Sequence, residues 1–322
     1  MRIPLIALLA ATLCLYSDAV VAKITMEKTG DTVRVLNDGE LFCEYRTSSQ
    51  GQPVVWPIVG PTGAEYTRSY PMGVRLEAEQ PDHPHHQSLW FAHGDVNGHD
   101  FWHGTLSDSR TVIKHCGFSQ ISAIGNLGTI IANNLWRAKG KTLISDCRLI
   151  HFGVEGQLRW IDFTIKLTAV GGEVRFGDTK EGTFAMRVAG TMKVDSPGKG
   201  HIVNSLGQRD DKAWGTPANW VDYCGPVQGQ TVGVAIMCHP ENFRHPTRWH
   251  VRPYGLFAAN PFGEADFLPT GTQQGDFTLS AGESLRLRYR VLLHEGDASE
   301  ACVQDEYARF SSQLFDACSH PQ

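Results

Sequence analysis

A period of two constrains this chain more than any other feature. The runs "TVIKHCGFSQISAI", "GTIIANNLWRA", "KTLISDCRLIHFG" and "LRWIDFTIKLTAV" alternate apolar and polar residues, and "EGTFAMRV", "QTVGVAIMC", "YGLFAAN", "DFTLSAG" and "SLRLRYRVLLH" carry the β-rich pattern onward. Side chains of an extended strand point to opposite faces in turn, so such runs make strands with one face buried, as in antiparallel sheets. Turns are plentiful, with 33 Gly and 16 Pro. In "DTVRVLNDGELFCEYR" (31–46) two alternating runs flank Asn37-Asp38-Gly39, residues that accept the positive φ of a tight hairpin turn.

One segment has helical spacing instead. In "DASEACVQDEYARFSSQLFDAC", Val303, Tyr307, Phe310 and Leu314 recur at intervals of four, three and four, and Asp297 or Ser299 can cap the start. The spacing predicts a C-terminal helix over 298–316, packed across a sheet. No internal repeat, low-complexity linker or clear boundary divides the chain. The expected fold is all-β: a large antiparallel β-sandwich, of the supersandwich or galactose-mutarotase-like type, forming one domain over 23–322 with one C-terminal helix.

The first residues, "MRIPLIALLAATLCLYSDAVVA", join a basic Arg2 to an apolar stretch too short for a comfortable membrane span, then small residues. They read as a signal peptide, 1–22, cut after Ala22. The expected location is therefore exported, periplasmic or secreted, with no membrane association after cleavage. Cys14 would leave with the leader, and the remaining seven cysteines include no Cys-x-x-Cys pair. Several are expected to be small buried apolar residues. A net charge of -5 gives no reason to expect nucleic acid as a partner.

Four segments break the alternation with polar and aromatic residues. In "QPDHPHHQSLWFAHGDVNGHDFWHG" (80–104), six histidines accompany Trp90 and Trp102. His83-Pro84-His85 is a His-x-His pair, whose rings share a side on extended chain and can hold a metal. In "FGDTKEGTFAMRV" (176–188), a strand would put Glu181, Thr183 and Arg187 on one face and Phe184, Met186 and Val188 on the other, with Asp178 in the preceding turn. Two carboxylates at one pocket suit acid-base sugar chemistry, because their pKa values can be driven apart. "AWGTPANWVDYCG" and "CHPENFRHPTRWHVRPYGLFAANPFG" add Trp220, Trp249, His250, Arg252 and Asn260. An Arg- and His-rich loop stiffened by proline suits an anionic group such as a carboxylate. There is no Gly-x-Ser-x-Gly, no phosphate loop and no His-Glu-x-x-His.

At "DHPHHQSLWFAHGDVNGHDFW", "GDTKEGTFAMRV" and "HPENFRHPTRWHVRPYGLFAANPFG" the chain resembles an exported bacterial family labelled PmoA-like. That resemblance implies a β-sandwich protein in a carbohydrate-degrading setting and assigns no catalytic residue.

The functional expectation is an exported carbohydrate-active enzyme, a glycoside hydrolase or polysaccharide lyase, acting on an oligo- or polysaccharide without a cofactor. Glu181, Asp178, His85 and His86 are the expected catalytic residues. Arg187, His250, Arg252, Trp90, Trp249 and Asn260 are expected to bind substrate, with His93, His99 and His103 in supporting roles. The alternatives are a non-catalytic sugar-binding protein, and a metal-dependent hydrolase or oxygenase built on His83, His85 and a distant carboxylate.

Overall fold

The computed structural model describes residues 22–268 and 275–314. The expected leader lies outside the described residues except for Ala22. Two eight-stranded antiparallel sheets dominate. In the first, the strands run Ile24–Thr29, Thr32–Asn37, Glu40–Ser49, Gln52–Ile58, Leu89–His93, Gly182–Arg187, Leu256–Asn260 and Arg248–Val251 across the sheet. The order in the second is His201–Asn204, Trp220–Val227, Gln230–Cys238, Ser284–Glu295, Leu158–Ala169, Lys141–Glu155, Leu127–Ala138 and Thr111–Ile124. A small ribbon pairs Val174–Phe176 with Phe277–Leu279.

The alternation read from the sequence is what folds here. Leu127–Ala138 alternates half-buried and buried residues without a break. The hairpin at 31–46 pairs Asn37 with Glu40 across Asp38 and Gly39, whose φ values of 50° and 86° make the primed turn that matches strand twist. The sheets meet face to face through aromatic pairs drawn from both: Phe42 with Phe152, Phe91 with Trp136, and Phe184 stacked on Tyr289 at 4.5 Å. This is the all-β antiparallel sandwich expected. Cys43 and Cys238 sit in its core as buried thiols.

The helix is shorter than its pattern predicts and spans Val303–Ser311. The Asp297 carboxylate accepts the amides of Ser299 and Glu300, which makes a separate turn at the predicted start. Cys302 then takes a left-handed φ of 50° at the helix N-cap. Residues 315 and 316 lie outside the described residues, and Leu314 is exposed. Val303, Tyr307 and Phe310 pack on Trp220, Ala235, Met237 and Leu292, the outer face of the second sheet.

That outer face also holds buried charges. Arg290 meets Asp162 through two 2.7 Å bonds. His294 Nε2 lies 2.8 Å from Asp222 Oδ2, and its Nδ1 lies 3.1 Å from the Glu295 carbonyl. Both neighbours are acceptors, so the geometry suits a doubly protonated ring. Burial opposes that charge, but the Asp222 carboxylate outweighs it and raises the His294 pKa. Stability from this pair is therefore full below the ordinary histidine value of about 6.5 and is lost as pH rises through the higher folded value. His294→Gln is expected to lower the urea midpoint most at neutral and lower pH, with the difference from wild type shrinking as the pH becomes alkaline.

Candidate active site

On the strand Gly182–Arg187, Phe184 and Met186 turn into the sandwich, so Thr183, Ala185 and Arg187 face outward. Residues paired directly across antiparallel strands share a face. Ala185 pairs with Trp90 on one side and with Ala258 on the other, and Ala258 pairs with His250. The outer face of the first sheet thus presents Trp90, Arg187 and His250 around the small side chains of Ala185 and Ala258. The loops at 59–88 and 94–110, with the turn at 252–255, rise over this floor.

Two arginines hold the histidine-rich loop to the floor. Arg187 donates to both Asp82 oxygens, at 3.0 and 3.3 Å, and to His86 Nδ1 at 3.0 Å. Arg68 donates to Asp82 Oδ1 at 2.6 Å and to the carbonyls of Asp82, His83 and His86. Both guanidiniums are almost fully buried. Partial burial would raise the Asp82 pKa, but Arg187 and Arg68 overcome it and hold the carboxyl below its usual range. Because Nδ1 of His86 accepts from Arg187, its proton sits on Nε2. Burial, with His85 and Arg187 close by, keeps that ring neutral.

His83 lies parallel to His86 at 4.8 Å and to Tyr254 at 5.1 Å, and His86 lies on Trp90 at 5.4 Å. His83 takes a left-handed φ of 43°, so the His-x-His pair is not extended, and the rings of His83 and His85 stand at 70° to each other. The two rings nevertheless meet, 5.7 Å centre to centre. Among the described residues no group of three or more His, Cys, Asp or Glu side chains is arranged around one ion.

His103, expected to be a supporting residue, is the best-placed proton carrier. Asp100 Oδ2 accepts from its Nδ1 at 2.7 Å, and Asp100 Oδ1 accepts from its backbone amide at 2.9 Å. Nε2 bonds to no described residue. The Asp100 bond raises the His103 pKa against partial burial, and Glu181 is near enough to raise it further. His85 lies 4.0 Å away, ring centre to ring centre, and is held to a pKa of about 3 by burial and by the charge of His103. His250 donates Nδ1–H to the Lys180 carbonyl at 2.9 Å, which leaves Nε2 a bare acceptor; burial lowers its pKa to about 3.

The structure thus gathers His85, His86, Glu181, Arg187, His250 and Arg252 at one face. Of the other expected residues, Trp90 shares that face but is covered, and the rest lie elsewhere. The Asp178 carboxylate accepts the amides of Glu264, Ala265 and Gly275 at 2.7–3.0 Å and anchors loops rather than meeting Glu181. Asn260 accepts from the amides of Phe262 and Gly263 and donates to the Thr179 carbonyl. Trp249 neighbours His250 in sequence and so faces the core, fully buried, bonding the Ala218 carbonyl. Trp90 is buried beneath His86 and offers no open ring. Trp220 lies under the C-terminal helix.

The open aromatics are Trp214 and Tyr254, neither of which the sequence pattern singles out. Trp214 packs edge-on to His250 at 4.9 Å, and Arg252 lies over its ring at 4.8 Å. The one available signal for His103 was the spacing Asp-x-x-His in "HDFWHG", which lets one carboxylate cap the turn and hold the ring.

A family model matches residues 32–308. The chain belongs to that family, DUF6807, described as a family of unknown function. This membership corrects the PmoA-like resemblance drawn from the motifs; no finding supports it. No curated protein matches the chain. Among solved structures, a galactose mutarotase-like protein from Lactobacillus casei is 11% identical, with 84% of this chain and 100% of that one covered and a TM-score of 0.38. A GH36 α-galactosidase from Geobacillus stearothermophilus is also 11% identical, with 85% of this chain and 41% of that one covered and a TM-score of 0.41. A polysaccharide lyase is 14% identical, with 87% and 33% covered and a TM-score of 0.35. Likenesses this distant carry no activity across, so the functional argument rests on the site itself.

The two-arginine clasp gives a direct expectation. Asp82→Ala leaves two guanidiniums facing each other without their shared carboxylate, and removing one partner of a buried pair costs about 3–5 kcal/mol, less here because Asp82 is partly exposed. Hydrogen exchange of the amides at 82–88 should accelerate far more than that of the strands in the second sheet.

Proposed function

We propose that this protein is a carbohydrate-active enzyme that cleaves a glycosidic bond by acid-base chemistry, with His103 as the acid and Glu181 as the base. The observation that carries the reading is the His103–Asp100 pair, its Nε2 unbonded and its charge felt by Glu181. Asp100 fixes the ring and favours the imidazolium, so Nε2–H is available to protonate the departing glycosidic oxygen. The Glu181 carboxylate then takes a proton, from an attacking water in hydrolysis or from a carbon beside the uronate carboxyl in elimination. Either route leaves one proton delivered and one removed.

The surroundings support a sugar as substrate. Tyr254 and Trp214 bring half-buried aromatic rings to the site, with His83 and Arg187 against Tyr254 and Arg252 over Trp214, so a pyranose would meet the parts of these rings that their neighbours leave uncovered. The Nε2 lone pair of His250 and the Nε2–H of His86 give one acceptor and one donor, and both rings are held neutral. His85 adds a third neutral imidazole beside His103.

The test is a screen of oligo- and polysaccharides with mass-spectrometric readout on purified wild type, His103→Asn and Glu181→Gln. Wild type is expected to yield products carrying an added water, or unsaturated products without it. Each variant should lose about 10²–10⁴-fold in turnover. The alkaline limb of the wild-type pH profile should lie above the ordinary histidine range, because the acid must be protonated and its pKa is raised. Full turnover by either variant would remove its residue from the mechanism. Saturable binding with no product would make the protein a sugar-binding module.

A further inference from the structure

The Arg252 guanidinium forms no hydrogen bond or ion pair with any described residue, although its backbone is tied down. Its amide donates to the Leu256 carbonyl at 2.8 Å, and its carbonyl accepts from the Tyr223 hydroxyl at 3.2 Å. The side chain is held only by aromatic faces, 4.8 Å from Trp214 and 5.9 Å from Tyr254. A guanidinium laid on rings keeps its N–H edge open and its direction fixed, a form suited to bidentate capture of a planar anion. The other charges at this face are committed. Arg187 and Arg68 share Asp82, Lys180 lies 3.5 Å from Glu181, and Asp100 holds His103. Cations here outnumber carboxylates before the His103 proton is counted, in a chain whose overall charge is -5.

We infer that the site selects a uronate, a sugar bearing a carboxylate, and that Arg252 is the residue that reads that carboxylate. The inference rests on the sugar reading above and narrows it. Tyr254, one of the rings beside Arg252, also lies near Glu181, so a carboxylate held by Arg252 would belong to a sugar bound at the reacting groups. The Arg252 side chain carries no bond that the fold uses, so its replacement tests recognition without disturbing the clasp at Asp82.

Glu181→Gln protein, expected to bind substrate without turning it over, is titrated calorimetrically with hexuronate oligosaccharides of gluco, galacto and manno configuration. Each is paired with its carboxyl-reduced neutral counterpart, and a sulfate ester of the neutral sugar forms a third arm. At least one uronate is expected to bind 10-fold or more tightly than its neutral counterpart. Adding Arg252→Gln should erase that preference, lowering uronate affinity far more than affinity for the neutral sugar, and Arg252→Lys, which keeps the charge but loses the fork, should restore part of it. Equal affinity for a uronate and its counterpart in every pair, a preference that survives Arg252→Gln, tighter binding of the sulfate ester, or no binding of any uronate would each overturn the inference. The two readings separate cleanly. Turnover of neutral sugars with no uronate preference sinks the inference alone, and Arg252-dependent uronate binding with no product from wild type sinks the enzyme reading alone.

Discussion

The site depends on one carboxylate shared by two buried guanidiniums. Asp82 takes Arg68 from its own loop and Arg187 from the central strand Gly182–Arg187, and the terminal N–H groups of both arginines also reach the loop's carbonyls and His86. Both guanidiniums are almost fully buried, so their charge is compensated chiefly by this carboxylate and these carbonyls. That pairing carries a loop rich in Pro, His and Gly onto the sheet and sets the tautomer of His86. With the loop in place, Trp90 and Trp102 are covered, and His85 comes to lie against His103.

From this clasp the histidines sort by environment. Burial strips His85, His86 and His250 of their charge, whereas Asp100 pulls His103 the other way. One ring whose proton is favoured by a carboxylate, set beside three that burial keeps neutral, is a division of labour that a cluster of equivalent histidines would lack. The buried pairs on the opposite face of the sandwich, Arg290–Asp162 and His294–Asp222, do not touch this chemistry and fasten the second sheet and its helix instead.

Much of the fold was legible because strand alternation is a local signal. The hairpin at 31–46, the inward turn of Phe184 and Met186 and the outward turn of Arg187 all follow from a period of two. The same rule places His250 outward and Trp249 inward; reading both as ligand contacts ignored it. The site was less legible because its assignments depend on which side chains the backbone claims. Asp178, on a loop, and Asn260, at the end of the strand Leu256–Asn260, are polar and close in space to the site, yet backbone amides consume them. The His-x-His pair departs from the extended geometry expected of it at His83, and no periodicity reveals a left-handed residue. His103 was passed over because only its fold places it beside His85 and Glu181.

The central claim is that His103, rather than its neighbours His85, His86 and His250, carries the mobile proton. A side-chain NMR titration of ring-labelled protein measures this directly. The account predicts that His103 titrates above the ordinary histidine value of about 6.5, while His85 and His250 stay neutral until near their pKa of about 3. A His103 that titrates at or below the ordinary value, or a His85 that protonates before it, would contradict the account.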